Sequence, residues 1–568
     1  MKDLKFLLFF MILMTISCRK TNQDKDVFQN VNSEYNYIRV FCETDFSLLN
    51  SDFITQLEDL KTLYSQNNYD FLWFDSLLIK NNADTAIFQM SMAKSKGLDC
   101  AFYHLPQIKQ QIRIFNRKNS FLRKTSKVIA DLLLTDAYLN YCHHLAYGWS
   151  QKKDTLPEIF NFAELLLHES PSTIPSIIEP QNVHYQNYTK AWGRFYDNYN
   201  GFPKSNIPFM EDDSIRCYEQ TIQRLNFFEL LDKRDSANFQ NIRNAIQQFQ
   251  YLFGIESSGK PDSLTVVCLN KDFDFYHEQA MLTIEKLKHP DFDSIHSFIL
   301  INIPTFSLFW IEQNELVSTH KVVTGTKRNP TPELTGSITK YTVLPDWNLP
   351  YSIATQETLP LVKRNINYLA KNKYIITNHQ REMIDPVTIN WSKLNRSNFP
   401  YRIVQTPGAH NALGLVKFYF NNSHDVYLHD TPQKRFFKRN IRAFSHGCMR
   451  LEKPFEFLKK LLEFEQGMLH YNEDLLKKKN LVLAQKKFEK IREGEENVAT
   501  VDTVNAHLER KQQADFRFKK RIPLFVCYYS SFYDMNGNVL FYSDIYSKDE
   551  VLLSELRALR AVVPKYGL

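Results

Sequence analysis

Two residues in the segment YLHDTPQKRFFKRNIRAFSHGCMRLEKP have the types and spacing for acyl-transfer chemistry: His429 lies nineteen positions before Cys448. A cysteine becomes a nucleophile when a neighbouring base or positive charge generates its thiolate. Gly447 permits the tight backbone that exposes the thiol and directs N–H groups at a developing oxyanion. The pattern predicts Cys448 as the nucleophile and His429 as its base. The second ring nitrogen of His429 needs a partner, for which a backbone carbonyl near Asp430 is the candidate.

Two other interpretations of this segment stay open. A zinc ion bound by His429, His446 and Cys448 would have a sparse ligand set without a familiar zinc spacing. A packed structural cysteine is common in proteins, but Ser-His-Gly-Cys is too polar for that interpretation to be favoured. Arg442 and Arg450 would raise the local positive potential and hold either a substrate carboxylate or the loop itself.

The elements around the motif have the pattern of strands. SFILINIPTFSLFWIEQNELVSTHKVVTG shows two extended runs around the polar turn EQNE, and further strands are predicted at Gly336–Val343, Ala412–Phe420 and His424–Leu428. This pattern is typical of a mixed sheet or a sandwich. An insertion at about 351–399 contains Trp391 and is predicted to be a lid, because insertions beside active sites often close over them.

The pattern changes again after the motif. PFEFLKKLLEFE has the spacing of an amphipathic helix, and the strongly charged segment 467–520 is predicted to be a solvated helix or helical hairpin. Asn536-Gly537 between two extended runs is the strongest short hairpin signal in the chain. Residues 521–568 are therefore predicted to form a hairpin and a tail that complete the fold.

The N-terminal half, residues 38–210, is mostly helical in pattern. DLLLTDAYLNYCHHLAYGWS places apolar residues at helical spacing. A metal role for His143 and His144 would need partners that the sequence does not indicate. Both are therefore predicted to be surface or core histidines of a helix.

A second helical unit, residues 211–272, contains AIQQFQYLFGIESSGKPDSLTVVCLN. It resembles the small three-helix peptidoglycan-binding module, whose signature is A-x-x-x-F-Q, a glycine-containing turn and a final Leu-Asn. The residues in those places are Ala245, Phe249, Gln250, Gly254, Gly259, Asp262, Leu269 and Asn270. Ser263 stands where the module usually has a glycine, and the bland alternative is a helical hairpin within a larger domain.

Length and composition limit the classes of function. The 568 residues argue for more than one domain, since single cores stop growing at roughly 250–300 residues. A net charge of +7 is a weak basic bias, and the sequence has no dense Lys/Arg stripe interleaved with aromatic residues, so nucleic acid is a poor partner. The eight cysteines are widely spaced without a C-x-x-C pair, which fits neither a disulfide scaffold nor a zinc ribbon.

The N-terminus has the pattern of an export signal. Two lysines precede the mostly apolar run Phe6–Ile16, and Cys18 follows. TISC resembles a bacterial lipoprotein box, in which the cysteine is lipidated and becomes the new N-terminus, although Thr15 stands where an aliphatic residue is usual. A plain signal peptide (residues 1–18) is the alternative. We expect an exported, periplasmic chain, anchored to a membrane through lipid on Cys18 and a polar tether at 19–37.

The motif and its surroundings resemble the L,D-transpeptidase catalytic domain of the YkuD type, in its large scaffolded Gram-negative branch. The resemblance rests on SHGCMR with His429 upstream, and extends to VVTGTKRNPTPELTGSITKYTVLPDWNLPYSIA, FPYRIVQTPGAHNALGLVKFYFNN and FYDMNGNVLFYSDIY. Met449 replaces the usual small aliphatic residue after the cysteine. The implied fold is a multidomain α+β protein, with a β-rich catalytic domain at 290–466, a helical scaffold domain at 38–210 and the three-helix module at 211–272.

The resemblance also implies the reaction. Cys448 would attack the carbonyl of the third residue of a peptidoglycan tetrapeptide stem, usually the L-centre of meso-diaminopimelate, while His429 acts as base and then acid. Backbone N–H groups of Gly447 and Cys448 would form the oxyanion hole. D-Ala would leave, and a diaminopimelate amine of another stem would resolve the thioester into a 3→3 cross-link. No metal or organic cofactor is implied, and carbapenems are expected as covalent inhibitors. The implied substrate contacts are Tyr427, Ser445, His446, Arg450 and Trp391.

Two other functions are kept beside this enzyme. Water or another amine would resolve the same thioester in a carboxypeptidase or in an acyltransferase that attaches or detaches proteins, and product masses separate these cases. A non-catalytic wall-binding protein would use the helical module and a defunct domain. The intact set of His429 and Ser-His-Gly-Cys argues against that last function.

Overall fold

The computed structural model describes residues 38–39, 42, 57–75, 78–117, 122–150, 160–288, 295–478 and 499–562. The expected export signal, the lipidation site Cys18 and the tether lie outside the described residues, and so does the part 479–498 of the charged segment. The chain divides into two compact units, which are described in turn.

The first unit comprises Met1–Asn200, Ala280–His289 and Glu550–Leu568, and its described residues are mainly helical. Its helices up to residue 200 are α1 Leu57–Gln66, α2 Asn81–Ser91, α3 Leu105–Phe115, α4 Arg123–Tyr147, α5 Phe162–His168, α6 Ile174–Ile178 and α7 Val183–Tyr199. Helix α4 is buried along almost its whole length, because other elements cover all its faces. His143 is buried on it, which confirms the prediction of a core histidine, and His144 is half-buried against Tyr103.

The second unit begins with the three-helix segment: α8 Ser214–Phe227, α9 Phe239–Leu252 and α10 Ser263–Leu269. Helix α11 Phe273–Leu287 follows, and its residues from Ala280 onward belong to the first unit. The amide of Gln250 links α9 to the next turn and to α10. It donates to Thr265 Oγ1 at 2.9 Å and accepts the N–H of Gly259, which has a φ of +69°, at 2.8 Å. Gln250 and Gly259, on which the resemblance to the three-helix module partly rests, therefore hold the helices together. Glycan binding by the segment stays a prediction.

The rest of the second unit is built on strands. The strands are β1 Phe298–Asn302, β2 Ser307–Glu312, β3 Glu315–Gly325, β4 Leu334–Val343, β5 Trp347–Asn348, β6 Tyr374–Thr377, β7 Met383–Ile384, β8 Arg402–Gln405, β9 Val416–Phe420, β10 Leu428–His429, β11 Ala443–Ser445, β12 Met449–Leu451, β13 Ala514–Cys527, β14 Ser531–Tyr533 and β15 Val539–Phe541. Within the described residues, one nine-stranded sheet runs in the order β11-β3-β12-β10-β9-β4-β13-β1-β2. Three neighbouring pairs in it are parallel and five are antiparallel, which confirms the mixed sheet. The two extended runs predicted around the EQNE turn are β2 and β3, and their additional pairing closes the sheet.

One predicted strand is mostly a turn. His424–Leu428 was expected to be extended, but the strand β10 is only Leu428–His429. The side chain of Asn422 satisfies the backbone groups that precede this strand. Its Oδ1 accepts the N–H groups of His424 and Val426, and its Nδ2 donates to the Val426 carbonyl. Asp425 has a φ of +54° in this turn. Such side-chain bonds compete with a strand ladder.

The insertion has its own small sheet and its own core. Strands β5, β8, β6 and β7 form a four-stranded sheet, accompanied by α12 Tyr351–Ile353, a π-helix at Ala354–Thr358, α13 Leu359–Arg364 and α14 Asn367–Lys371. Its core is separate from that of the nine-stranded sheet and contains Leu359, Ile376, Trp391 and Ile403. This independent core lets the insertion fold as a distinct layer.

The last part of the second unit departs from prediction in two places. The amphipathic helix is confirmed as α15 Pro454–Lys478, whose Phe457 and Leu461 are fully buried in the sheet core. Helix α16 Val501–Glu509 follows, but strand β13 begins at Ala514, inside the segment 467–520 that was predicted to be helical. The β14–β15 hairpin around Asn536-Gly537 is confirmed. Beyond it the chain forms α17 Asp549–Val562 where a tail was expected.

None of the helices within the described residues is long and apolar enough to cross a membrane.

Candidate active site

The register of three strands gathers the polar residues of the site on one face of the sheet. Leu428 of β10 pairs with Phe418 of β9 and with Met449 of β12, and all three side chains are fully buried in the core. His429, which follows, pairs with Lys417 on β9 and with Arg450 on β12. Because successive side chains of a strand point to opposite faces, these partners lie on the face away from the core.

Cys448 and Tyr427 stand side by side at the ends of β12 and β10 on the same face. The N–H of Met449 donates to the carbonyl of Tyr427 at 3.0 Å, which keeps the two chain segments in register. The backbone and the hydroxyl of Tyr427 both favour the charged form of the Cys448 thiol and so act to lower its pKa. The ring centroids of Tyr427 and His429 lie 5.5 Å apart. The structure thus brings the predicted nucleophile, the predicted base and Tyr427 together.

The surroundings of Cys448 favour a protonated thiol at rest. Burial raises the pKa of Cys448 above its ordinary value, although the hydrogen bonds from Tyr427 and the charges of Lys417 and Arg450 oppose that effect. The residue as a whole is nevertheless only half-buried. Removal of the thiol proton therefore needs a base beside it.

His429 has the tautomer and protonation state of such a base. Its Nδ1 donates to the carbonyl of Asp430 at 2.5 Å, which leaves the lone pair of Nε2 available as a proton acceptor. Burial, reinforced by the charge of Arg450, lowers the pKa of His429 to about 3, so the imidazole is neutral at neutral pH. The prediction that a carbonyl near Asp430 holds the ring is confirmed.

Asp430 is itself held in place from several sides. Its carboxylate accepts the N–H of Leu415 at 2.9 Å and pairs with Lys434 Nζ at 2.7 Å. Its N–H donates to the carbonyl of Val416 at 2.9 Å. Gly414, with a φ of +62°, lies so close that a Cβ there would stand 2.3 Å from Asp430 Oδ2. These contacts position the carbonyl that orients His429, and the sequence alone gave no signal for them.

The loop before Cys448 corrects the role predicted for Gly447. Its N–H donates to Ser445 Oγ at 3.1 Å, so that donor is not available for an oxyanion. Ser445 Oγ donates in turn to the Cys448 carbonyl at 2.6 Å, and Thr331 Oγ1 donates to the Gly447 carbonyl at 2.8 Å. Gly447 is required for its φ of +115°, which a side chain would strain. The backbone N–H of Cys448, in contrast, donates to no protein acceptor within the described part of the chain.

His446 and Arg450 differ in their relation to the thiol. His446 is exposed, and its Nε2 lies 2.7 Å from Oε1 of Glu357 on the π-helix of the insertion. The positive charge of Arg450 acts on Cys448, and its Nη1 donates to Gln433 Oε1 at 2.8 Å. Since His446 turns to the insertion, the zinc set considered for this segment is not assembled, and the described residues hold no group of three or more His, Cys, Asp or Glu arranged for a metal ion.

Trp391, predicted to contact substrate, does not join the site. Its side chain is 8% exposed in the core of the insertion, and its indole N–H donates to the carbonyl of Pro386 at 2.9 Å. The indole ring of Trp391 packs in the core of the insertion, which explains an aromatic residue at this position. Glu357 of the insertion does reach the motif, and the sequence offered no signal for it.

Arg442, for which the sequence left two roles open, holds the loop. The side chain is 7% exposed, and its guanidinium donates to the carbonyls of Val322 at 3.1 Å, Phe306 at 2.8 Å and Arg439 at 2.9 Å. These bonds tie the segment before the motif to β3 and to the β1–β2 turn. A substrate carboxylate would have to displace them.

Comparisons with known proteins agree with this geometry. Residues 296–469 match the model of the YkuD L,D-transpeptidase catalytic domain, and residues 58–191 match the model of a scaffold domain. A putative L,D-transpeptidase of Haemophilus influenzae is 32% identical over 268 residues, which is 47% of each chain. The chain therefore spans about half the length of the curated relative it matches. The two matched regions agree with the predicted order of a helical domain followed by a β-rich one.

Proposed function

We propose that this chain, in which residues 296–469 form an L,D-transpeptidase catalytic domain, forms 3→3 cross-links between peptidoglycan stem peptides through a cysteine thioester. One observation carries the proposal: on a single face of the sheet, a half-buried Cys448 stands beside Tyr427 and a neutral, oriented His429. The reacting groups are thus in place before substrate arrives.

The chemistry follows from the protonation states. Nε2 of His429 takes the proton of Cys448 as the sulfur attacks the carbonyl carbon at the L-centre of the third stem residue. The tetrahedral intermediate collapses, the C–N bond to D-Ala breaks, and the imidazolium returns its proton to the departing amine. An amine of a second stem then attacks the thioester, giving its proton to His429, and the sulfur leaves as thiol. Each of the two nucleophilic attacks needs a neutral imidazole at its start, which the buried, cation-flanked ring provides.

The oxyanion of each tetrahedral intermediate needs donors other than Gly447. The backbone N–H of Cys448 and the hydroxyl of Tyr427 are the groups nearest to the reacting sulfur that are suited to this task. Ser445 holds the loop that presents the Cys448 N–H, since its hydroxyl bridges the Gly447 N–H and the Cys448 carbonyl. We assign it the role of positioning this loop.

The insertion is proposed as the lid of the cleft. Its sheet continues from β5, directly after β4, and Glu357 contacts His446 next to the catalytic loop. A layer with its own core can move as a body over the polar face of the main sheet. Export to the periplasm, the lipid on Cys18 and covalent inhibition by carbapenems belong to the same proposal.

The test is product analysis with a disaccharide-tetrapeptide as donor and acceptor. The chain without residues 1–18 should release D-Ala and give a dimer whose fragment masses place the new bond between two third residues. The matched control is Cys527→Ala, which removes another half-buried thiol of the same unit and should leave the products unchanged. Tripeptide as the sole product would identify a carboxypeptidase. Binding of sacculi without any product would indicate the wall-binding protein.

A further inference from the structure

Lys417 is the charged residue of the site face that the proposed mechanism has not used. It lies on β9 opposite His429, on the face that carries Tyr427, Cys448 and Arg450. Its Nζ stands 3.7 Å from the centroid of the Tyr427 ring and 4.4 Å from that of Tyr419. An ammonium between two aromatic faces is held by cation–π attraction and has little freedom to turn to solvent.

The charge of Lys417 has no carboxylate against it. Within the described residues it forms no ion pair, and the carboxylate that acts on it electrostatically, Asp346, stands beyond ion-pair distance. Lys340 on β4, on the same face, differs in this respect, since its Nζ binds Asp515 at 2.7 Å. The positive charge of Lys417 therefore stands beside the Tyr427 ring without a neutralising partner, and it acts on the Cys448 sulfur next to that ring.

We propose that Lys417 is a positioning residue of the acyl-transfer site, whose ammonium holds the Tyr427 ring against the nucleophile and stabilises the negative charge that develops on Cys448. The inference rests on the proposed function for its purpose, but the charge on the sulfur can be measured without any turnover. A cation next to a sulfur increases the thiolate fraction at a given pH.

The protonation of Lys417 itself fits this role. Burial lowers the pKa of Lys417 to about 8, while Cys448 and Asp346 oppose that effect. The ammonium is thus mostly charged at neutral pH and is half deprotonated near pH 8. The other titratable or charged groups on this face and in the loops beside it are Lys340, Asp346, Tyr419, Tyr427, His429, Arg450 and Asp515.

The experiment is the pH dependence of alkylation of Cys448 by iodoacetamide, a small neutral reagent, followed on the Cys448 peptide by mass spectrometry. In the full chain, Lys417→Met should slow alkylation about tenfold at pH 7, where Lys417 carries its charge, and the two profiles should converge above pH 8, where Lys417 has lost it. Lys417→Arg should restore most of the rate, because it restores the charge. Lys417→Gln is the second uncharged variant if the methionine variant does not fold.

The matched control is Lys340→Met, which removes a neighbouring cation that Asp515 already neutralises, and it should leave the profile unchanged. A profile for Lys417→Met or Lys417→Gln equal to that of the unsubstituted chain overturns the inference, as does an equal change with Lys340→Met. The outcome is independent of the proposed reaction. A changed profile without transpeptidation would reject the proposed function alone, and transpeptidation with unchanged profiles would reject this inference alone.

Discussion

Cys142 on helix α4 and Cys448 before strand β12 are both shielded from water, but they differ in what surrounds the sulfur. Cys142 is 2% exposed among tyrosines of the helical unit, and burial raises its pKa far above the ordinary value, with Tyr138 as a weak opposing donor. At Cys448, Tyr427 and the charges of Lys417 and Arg450 oppose the effect of burial on the pKa, and His429 lies on the same face. Burial alone makes a thiol inert, whereas burial next to cations and a neutral base makes a site.

The same contrast holds for the carboxylates of the two regions. Asp131 of α4 is fully buried and satisfied from within its unit, since it accepts the hydroxyl of Tyr64 at 2.5 Å and the N–H groups of Trp73 at 2.9 Å and Leu72 at 3.2 Å. Asp430 in the catalytic unit also accepts a backbone N–H, but its carbonyl serves His429. Both carboxylates are structural. Only Asp430 also orients a reacting group, and it does so through its backbone carbonyl.

The largest expected effect separates the two cysteines. Cys448→Ala should abolish acylation and turnover with the fold retained, because no other thiol in the described part of the chain shares its surroundings. Cys142→Ala should leave both unchanged and lower the free energy of unfolding by about 1 kcal/mol, since a small buried group is lost. Acylation rates and urea unfolding of the two variants check this, and turnover by Cys448→Ala would reject the assignment of the nucleophile.

The next effect concerns the base. His429→Gln should lower the acylation rate by about 10²–10⁴-fold, the range usual for a general base. In the unsubstituted chain the rate should persist well below pH 6.5, because the folded-state pKa of His429 is about 3 and the ring stays neutral there. His320→Gln is the control, since that buried histidine of β3 lies outside the site face. A rate that falls with a midpoint near 6.5 would contradict the buried, neutral base.

The pH dependence of stability has the same sign in both units. His184 in the first unit and His429 in the second have folded pKa values of about 3, below the unfolded value near 6.5. The unfolded chain therefore binds more protons between these values, and the stability present above pH 6.5 is lost as the pH falls towards 3. Urea unfolding from pH 7 to pH 4 should show this loss, and His429→Gln should make it shallower.

In the helical unit we expect an effect on stability and none on activity. Asp131→Ala should lower the free energy of unfolding by more than about 2 kcal/mol, because it leaves buried donors without an acceptor. The acylation rate of the folded fraction should not change. Loss of acylation in a variant that is still folded would mean that the helical unit contributes to the chemistry.

The smallest effect is expected at the contact between the insertion and the motif. Glu357 and His446 are half-exposed, with side-chain exposures of 53% and 49%, and such pairs contribute roughly 0–1 kcal/mol. Glu357→Ala should therefore change the acylation rate by less than about fivefold. A much larger loss would place His446 in the reacting set and not only at the lid contact.

The sequence predicted the parts of the site that depend on local pattern. Cys448 and His429 follow from residue type and spacing, the helical first unit from periodicity, and the hairpin from Asn536-Gly537. Lys417 escaped prediction because its place opposite His429 depends on the register of β9 against β10, which residue types do not specify. The oxyanion role predicted for the Gly447 N–H was wrong, because this group donates to the Ser445 hydroxyl. That bond depends on a loop conformation that residue types do not specify.

Trp391 shows a different limit of pattern reasoning. An aromatic residue in a polar insertion suggested a substrate contact, but the insertion folds around a core of its own and uses the ring there. Whether an aromatic side chain serves a core or a cleft depends on the number of apolar partners that the fold brings to it.

The most direct test of the central claim is the intact mass of the protein after mixing with a disaccharide-tetrapeptide. We expect an adduct equal to the donor without its D-Ala on the unsubstituted chain and on Cys142→Ala, and none on Cys448→Ala. An adduct on Cys448→Ala, or none on an unsubstituted chain whose Cys448 still reacts with iodoacetamide, would contradict the account.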